Sequence, residues 1–302
     1  MFTSKPFGLV AVGIIMLQLL SPVVAQSATE EQLRNRNRTV SLGIVVFPGW
    51  EPLDVFGPLE LFFSISVAHK LVLSVIAAET GLVSAGVPPH LMKPGEPPMD
   101  VGYMLQPKIE ATHTFANAPA LDIILIPGGL GNVALEQAND TSVEDFIALR
   151  ADHAEYLLSV CTGSVSLARA GVLKGRRATT NKGAWDWVTS HGGDGINWVP
   201  TARWTQDGKV WTSSGVAAGI DMAYAFLRHF YGEDDENLVA TMNGIEYAPH
   251  TNADWDPFSV VHKVYWRCTT PTCGPLTLTI HDKVPGADPD ANVEGCVKPV
   301  GF

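Results

Sequence analysis

One stretch constrains the fold more than any other: residues 155–175, E-Y-L-L-S-V-C-T-G-S-V-S-L-A-R-A-G-V-L-K-G. Residues 155–160 form a short apolar run of strand type, and residues 162–173 carry helical spacing with Val165, Leu167, Ala168 and Leu173 on one face. Cys161 stands at the joint. A side chain at a sharp strand-to-helix turn projects outward, the positive end of the helix dipole is expected to lower a thiol's pKa there, and Gly163 leaves room for the turn. The backbone N–H groups after Cys161 suit a developing negative charge. A small Cys filling a strand end is the plainer alternative. Cys followed by Thr-Gly-Ser at such an elbow favours a nucleophile.

A strand-turn-helix unit of this kind belongs to a parallel sheet, and the rest of the chain repeats the alternation. Residues 41–47, 71–77 and 121–126 are continuous apolar runs of the type found in strands covered on both faces. Helices are predicted at 142–154, 181–191, 216–231 and 233–246, and a loop from Pro52 leads into a helix whose Leu59, Phe62 and Phe63 are expected to face the sheet. Residues 178–180 read as a short strand. Residues 203–206 and 209–213 alternate around Asp207-Gly208, which predicts a hairpin. The result is an α/β sandwich with a mainly parallel sheet and one added hairpin, spanning residues 40–250. A polar segment (26–39) precedes it, a Pro-, Asp- and Gly-rich tail (251–302) follows it, and residues 87–99 form a long loop without periodicity.

Open parallel sheets bind ligands beyond the carboxyl ends of their strands. Asp54, after the first strand, is therefore the first candidate partner for Cys161, and Glu60 in the following helix is the second. Pro127-Gly128-Gly129 closes the strand at 121–126, which is expected to flank the Cys161 strand. Glycines there let the backbone approach a ligand, so the N–H groups of Gly129 and Thr162 are the candidate donors to developing charge. Trp50, Trp185, Trp204 and Trp255 read mainly as core, with an apolar substrate wall as the other use.

The chain has 302 residues, 46% hydrophobic and 17% charged, enough for a large core and too apolar for wholesale disorder. Its net charge of -11 disfavours nucleic acid and anionic membrane surfaces as partners. Lys5, the apolar run 7–20 and Val23-Val24-Ala25 make a signal peptide with cleavage expected after Ala25, too short an apolar run to span a bilayer. A secreted product is the expectation. Asn37 and Asn139 then become glycosylation candidates. With Cys161 a free thiol, Cys268, Cys273 and Cys296 allow at most one disulfide among themselves. No metal-ligand spacing occurs, so no metal is expected.

Taken together, F-P-G-W-E-P-L-D-V-F-G-P (47–58), I-P-G-G (126–129), S-V-C-T-G-S (159–164), A-G-V-L-K-G-R-R-A-T-T (170–180), D-G-K-V-W-T-S-S-G-V-A-A-G-I-D (207–221) and E-Y-A-P (246–249) resemble the DJ-one/PfpI (ThiJ) family of the class I glutamine amidotransferase-like superfamily. Within that family the chain looks most like the isonitrile (isocyanide) hydratases and their fungal relatives. The resemblance implies a flavodoxin-like three-layer sandwich, a homodimer, no metal or organic cofactor, and Cys161 with Asp54 as the reacting pair beside Thr162. Protease-like members carry His directly after the Cys, where this chain has Thr162. Glyoxalase-like members use a Glu in the helix after the first strand. The implied activity is hydration of an isonitrile to an N-substituted formamide. The alternatives keep the same Cys: a glyoxalase-like or other lyase acting on an aldehyde, or a redox-sensing or binding module without turnover.

Overall fold

The computed structural model describes residues 27–86 and 103–264. The expected signal peptide, the loop at 87–99 and Cys268, Cys273 and Cys296 lie outside the described residues. In chain order the elements are α1 (Glu30–Asn37), β1 (Val40–Val45), α2 (Pro52–Ile65), β2 (Leu71–Ala77), β3 (Gly81–Ser84), β4 (Lys108–Ala111), β5 (His113–Thr114) and β6 (Ile123–Ile126). Then follow α3 (Leu130–Gln137), α4 (Ser142–Ala151), β7 (Tyr156–Ser159), a 3-10 turn at Cys161–Gly163, α5 (Ser164–Arg169), β8 (Arg177–Ala178) and α6 (Trp185–Thr189). The chain continues through β9 (Asn197–Trp198), β10 (Trp204–Asp207), β11 (Val210–Ser213), α7 (Ala217–Tyr231), α8 (Glu236–Gly244) and α9 (Phe258–Val261).

The central sheet has the order β10-β11-β7-β6-β1-β2-β5. Its strands run parallel except β10, which pairs antiparallel with β11 through the Asp207-Gly208 turn. Every residue of β6, β7 and β11 is buried, because helices cover both faces; this explains the unbroken apolar composition of β6, while β7 and β11 also bury Ser159, Thr212 and Ser213. The architecture is the mainly parallel sandwich with one hairpin that the alternation predicts, and it has the flavodoxin-like form that the resemblance implies. In register, Ile44 pairs with Leu125, and Ile126 with Ser159. The loops leaving β1, β6 and β7 therefore emerge together at one edge.

Three expectations about the periphery change. Phe63 is 68% exposed, with Leu53 and Phe56 also on the outer side of α2, whereas Phe62 is buried as expected. The polar segment before residue 40 contains a helix with a capping box, in which Thr29 Oγ1 accepts from the Gln32 N–H (3.2 Å) and Gln32 Oε1 from the Thr29 N–H (2.8 Å). This helix closes the end of α7: Gln32 Nε2, Asn35 Nδ2 and Arg36 Nε donate to the carbonyls of His229, Phe230 and Tyr231 at 3.0, 3.1 and 2.6 Å. Those carbonyls lie in the last turn, which has no intrahelical donors of its own. Asn37 and Asn139, the two sequon asparagines, are exposed.

Packing also continues past residue 250 to 264. Ala253 O accepts from the N–H of Arg203 (2.7 Å), and the N–H of Asp256 donates to Thr201 O (2.7 Å). The buried Arg203 guanidinium grips Asp221 through Nε (2.7 Å) and Nη2 (2.5 Å) and lies 3.8 Å from the buried Asp256. Asp221 also accepts from the Tyr247 hydroxyl and the His250 N–H. Removing one partner of a buried pair strands the other charge. Arg203→Ala is expected to lower unfolding stability by roughly 3–5 kcal/mol in chemical denaturation; a loss below about 1 kcal/mol would show that the network does not hold the C-terminal segment in place.

Candidate active site

Cys161 occupies the elbow between β7 and α5 with φ +59°, a left-handed conformation rare for a side-chain-bearing residue. Crowding imposes it. A Cβ on Gly163 would meet Ile126 O at 2.4 Å, and one on Gly128 would meet Thr162 Oγ1 at 2.4 Å, so the β6 and β7 loops touch through their main chains. Gly129, at φ +134°, passes equally close to Gly49 O (2.3 Å from an added Cβ) and ties in the β1 loop. The thiol is 7% exposed at this junction.

Helix α2 begins at Pro52, whose fixed φ suits a first helical turn, so Asp54 lies on that turn and not in the expected loop. Pro58, four residues on, has no N–H to give the Asp54 carbonyl. A Cβ on Gly57 would strike Ile220 Cγ1 at 2.6 Å, and one on Gly219 would strike Val160 Cγ1 at 2.4 Å, so α2 and the start of α7 are drawn against the elbow. The Asp54 carboxyl is wholly buried. Its Oδ2 accepts from the Gly128 N–H at 2.8 Å, and it is a hydrogen-bond neighbour of the Cys161 thiol. Its Oδ1 meets no nitrogen or oxygen donor among the described residues. Glu60 is on the outer face of α2, exposed, where it accepts from Ser64 Oγ at 3.0 Å. Of the two carboxylate candidates, only Asp54 is brought to the sulfur.

Burial governs both acids. It raises the Asp54 pKa from 3.8 to about 7, with a smaller push from Glu51, against the Gly128 N–H and the Cys161 hydrogen bond, which lower it. Burial and the Asp54 charge likewise push the Cys161 thiol up, against the N–H groups of Thr162 and Val216 and the Asn181 amide. The helix-dipole expectation of a depressed thiol pKa is thus reversed, because desolvation outweighs it. The pair rests with the proton on sulfur and with Asp54 near its midpoint at neutral pH.

Two expected donors separate here. The Thr162 N–H faces the sulfur. The Gly129 N–H does not serve developing charge, since it donates to Thr162 Oγ1 (2.9 Å), whose own hydroxyl donates to Asn132 Oδ1 (2.9 Å). Trp50 and Trp204 are buried, while Trp185 and Trp255 are half-buried. A cleft of about 580 Å³ between α7 and β10 includes neither Cys161 nor Asp54, so proton chemistry and not cavity size locates the site.

Sequence reasoning missed Asn181. It was expected inside a helix, but that helix starts at Trp185, and the loop before it turns the Asn181 side chain to the sulfur, with Nδ2 3.2 Å from Sγ. The one available signal was a polar residue directly after a short strand. The Val216 N–H carries no side-chain signature.

A carboxyl whose folded pKa exceeds its unfolded value adds stability that is full below the unfolded pKa and is lost as pH rises through the folded one. For Asp54 the window runs from 3.8 to about 7. Asp54→Asn is therefore expected to gain stability relative to wild type across that window, by up to roughly 4 kcal/mol. Denaturation midpoints of both proteins at a series of pH values check this, and a pH-independent difference would contradict the raised pKa.

Comparison with known proteins places the chain in a family. Residues 43–229 match the model of the DJ-1/PfpI family. The chain is 33% identical over 215 residues to the isonitrile hydratase of Pseudomonas putida, covering 70% of this chain and 79% of that one. It is 28% identical over 127 residues to the HTH-type transcriptional regulator GbdR of Pseudomonas aeruginosa, covering 42% of this chain and only 33% of the regulator. The crystal structure of a ThiJ/PfpI family protein from Pseudomonas syringae superposes with TM-score 0.57 at 24% identity, over 80% of this chain and 87% of that one. On the family match and the hydratase relative, this chain is a member of the DJ-1/PfpI family.

Proposed function

We propose that the chain is a cysteine-dependent hydratase that converts an isonitrile to an N-substituted formamide. The observation that carries the reading is the buried Asp54 carboxyl beside the Cys161 thiol, with one oxygen that no nitrogen or oxygen donor satisfies among the described residues. The isonitrile hydratase relative supports it. So does Thr162 in place of a His, since it leaves Asp54 as the proton acceptor next to the sulfur.

An isonitrile, R–N≡C, needs both a nucleophile and a proton at one carbon. As the sulfur attacks the terminal carbon, Asp54 takes the thiol proton and delivers it to that same carbon, which gives the thioimidate R–N=CH–S–Cys161. Water then adds across C=N, its proton passing through Asp54 to nitrogen, to form R–NH–CH(OH)–S–Cys161. The C–S bond breaks with its electron pair on sulfur, the hydroxyl proton returns through Asp54 to the thiolate, and the formamide R–NH–CHO leaves. A group with a pKa of about 7 both accepts and returns protons near neutrality, as general acid–base catalysis requires.

Purified protein given cyclohexyl isocyanide is expected to yield N-cyclohexylformamide. Cys161→Ala should abolish turnover, Asp54→Asn should lower it by ~10²–10⁴-fold, and Glu60→Gln should leave it near wild type. Lactate from methylglyoxal without formamide would move the protein to the aldehyde-lyase reading, and neither product would favour a redox-sensing or binding module.

The homodimer belongs to the same proposal. Leu53, Phe56 and Phe63 recur at three- and seven-residue spacing on the outer face of α2, the helix that carries Asp54, and a second copy would cover them. Light scattering is expected to give twice the chain mass, with Phe63→Lys shifting it toward one; a wild-type monomer would end that part of the reading.

A further inference from the structure

The sulfur of Cys161 is held from a third side by a segment outside the central sheet. Residues 179–182 form a strap behind the elbow. Thr180 Oγ1 donates to Cys161 O at 3.0 Å, and Lys182 Nζ, itself buried, anchors the strap by donating to Thr179 Oγ1 (2.7 Å), Ala202 O (2.8 Å) and Thr180 O (3.2 Å). Between them, Asn181 Oδ1 accepts from the Ala184 N–H at 2.9 Å, which fixes the amide so that Nδ2 points at Sγ, 3.2 Å away. Room for that orientation depends on Gly215. A Cβ there would come within 2.8 Å of Asn181 Nδ2 and, its chain neighbours apart, within 4 Å of no other described residue.

We propose that Asn181 is a catalytic residue that holds the negative charge on the Cys161 sulfur when the thiol gives up its proton and again when the C–S bond breaks. The proposal rests on Cys161 being the nucleophile. The chemistry favours an amide at this place. A Lys or Arg beside the sulfur would fix it as a resting thiolate and draw the proton away from the pair. A neutral donor strengthens its bond only while charge is present, so the proton stays available to Asp54. Asn181 joins the Thr162 and Val216 N–H groups on the sulfur, and it is the one side chain among the three.

Alkylation of Cys161 by iodoacetamide, followed by peptide mass spectrometry across pH 6–10 on the purified full chain, separates this role from a structural one. Asn181→Asp keeps an oxygen for the Ala184 N–H but replaces the donor with a carboxylate. Under the proposal it slows alkylation at about pH 8 by roughly 10–100-fold and moves the inflection to higher pH, as does Asn181→Ala. Gly215→Ala, whose added Cβ meets the Asn181 amide, shifts the profile in the same direction. Wild-type alkylation by Asn181→Asp would overturn the proposal, because Asn181 would then serve only as the cap for Ala184. Thiol alkylation requires no isonitrile turnover. A shifted profile in a protein that does not hydrate isonitriles would therefore leave the role of Asn181 standing and refute the hydratase reading alone.

Discussion

A carboxyl and a thiol enclosed side by side cannot both carry charge, and this repulsion in a dry pocket organises the site. Burial raises the cost of ionising both groups; the Asp54 charge adds to that cost for Cys161, whereas the Cys161 hydrogen bond partly offsets it for Asp54. The thiol therefore keeps its proton at rest, while Asp54 lies near its midpoint at neutral pH. That proton can leave sulfur only as the sulfur gains a bond to carbon or as Asp54 receives it. Hydration of an electrophilic carbon that must accept a nucleophile and a proton in turn suits such a pair better than a permanently exposed thiolate, which would be open to oxidation and stray alkylation.

Main-chain crowding keeps the pair in place. Gly128, Gly129 and Gly163 sit where any side chain would collide with a neighbouring loop, so the β1, β6 and β7 loops lock together through their backbones. Locking of this kind sustains the left-handed conformation of Cys161, which would relax in a looser setting. It also aims the Gly128 N–H at Asp54, so one contact builds the junction and polarises the carboxyl. Gly57 and Gly219 serve the same end from the helix layer, bringing α2 and α7 close enough for Asp54 and the Val216 N–H to reach one sulfur.

Segments beyond the alternating core complete the unit by satisfying buried polar groups. Helix α1 supplies donors to the last carbonyls of α7, and Tyr247, His250 and Asp256 meet the buried pair formed by Asp221 of α7 and Arg203. Neither segment has the apolar periodicity of a core element. Both are held by hydrogen bonds to partners far away in sequence, and that is why they read as polar flanks when taken alone.

Much of the architecture was legible without coordinates, since period-2 and period-3.6 patterns are local properties of the chain. The mainly apolar runs at β1, β6 and β7, the Asp-Gly hairpin and the Cys elbow all follow from short-range chemistry, and they sufficed to place Cys161 and Asp54 at the same sheet edge. Tertiary structure decided the rest. Asp54 and Glu60 are six residues apart on one helix, and only the direction in which α2 docks turns one to the sulfur and the other to water. The Gly129 N–H was a reasonable donor until the Thr162 hydroxyl, on a different loop, engaged it. Asn181 reaches Cys161 across 20 residues and through a loop that periodicity assigned to a helix. The thiol pKa reversed its expected direction because desolvation depends on everything packed around the atom, whereas a helix dipole depends only on its own turn. Sequence determined which thiol and carboxylates are candidates; packing determined which carboxylate meets the thiol, because only the docking of α2 sets that contact.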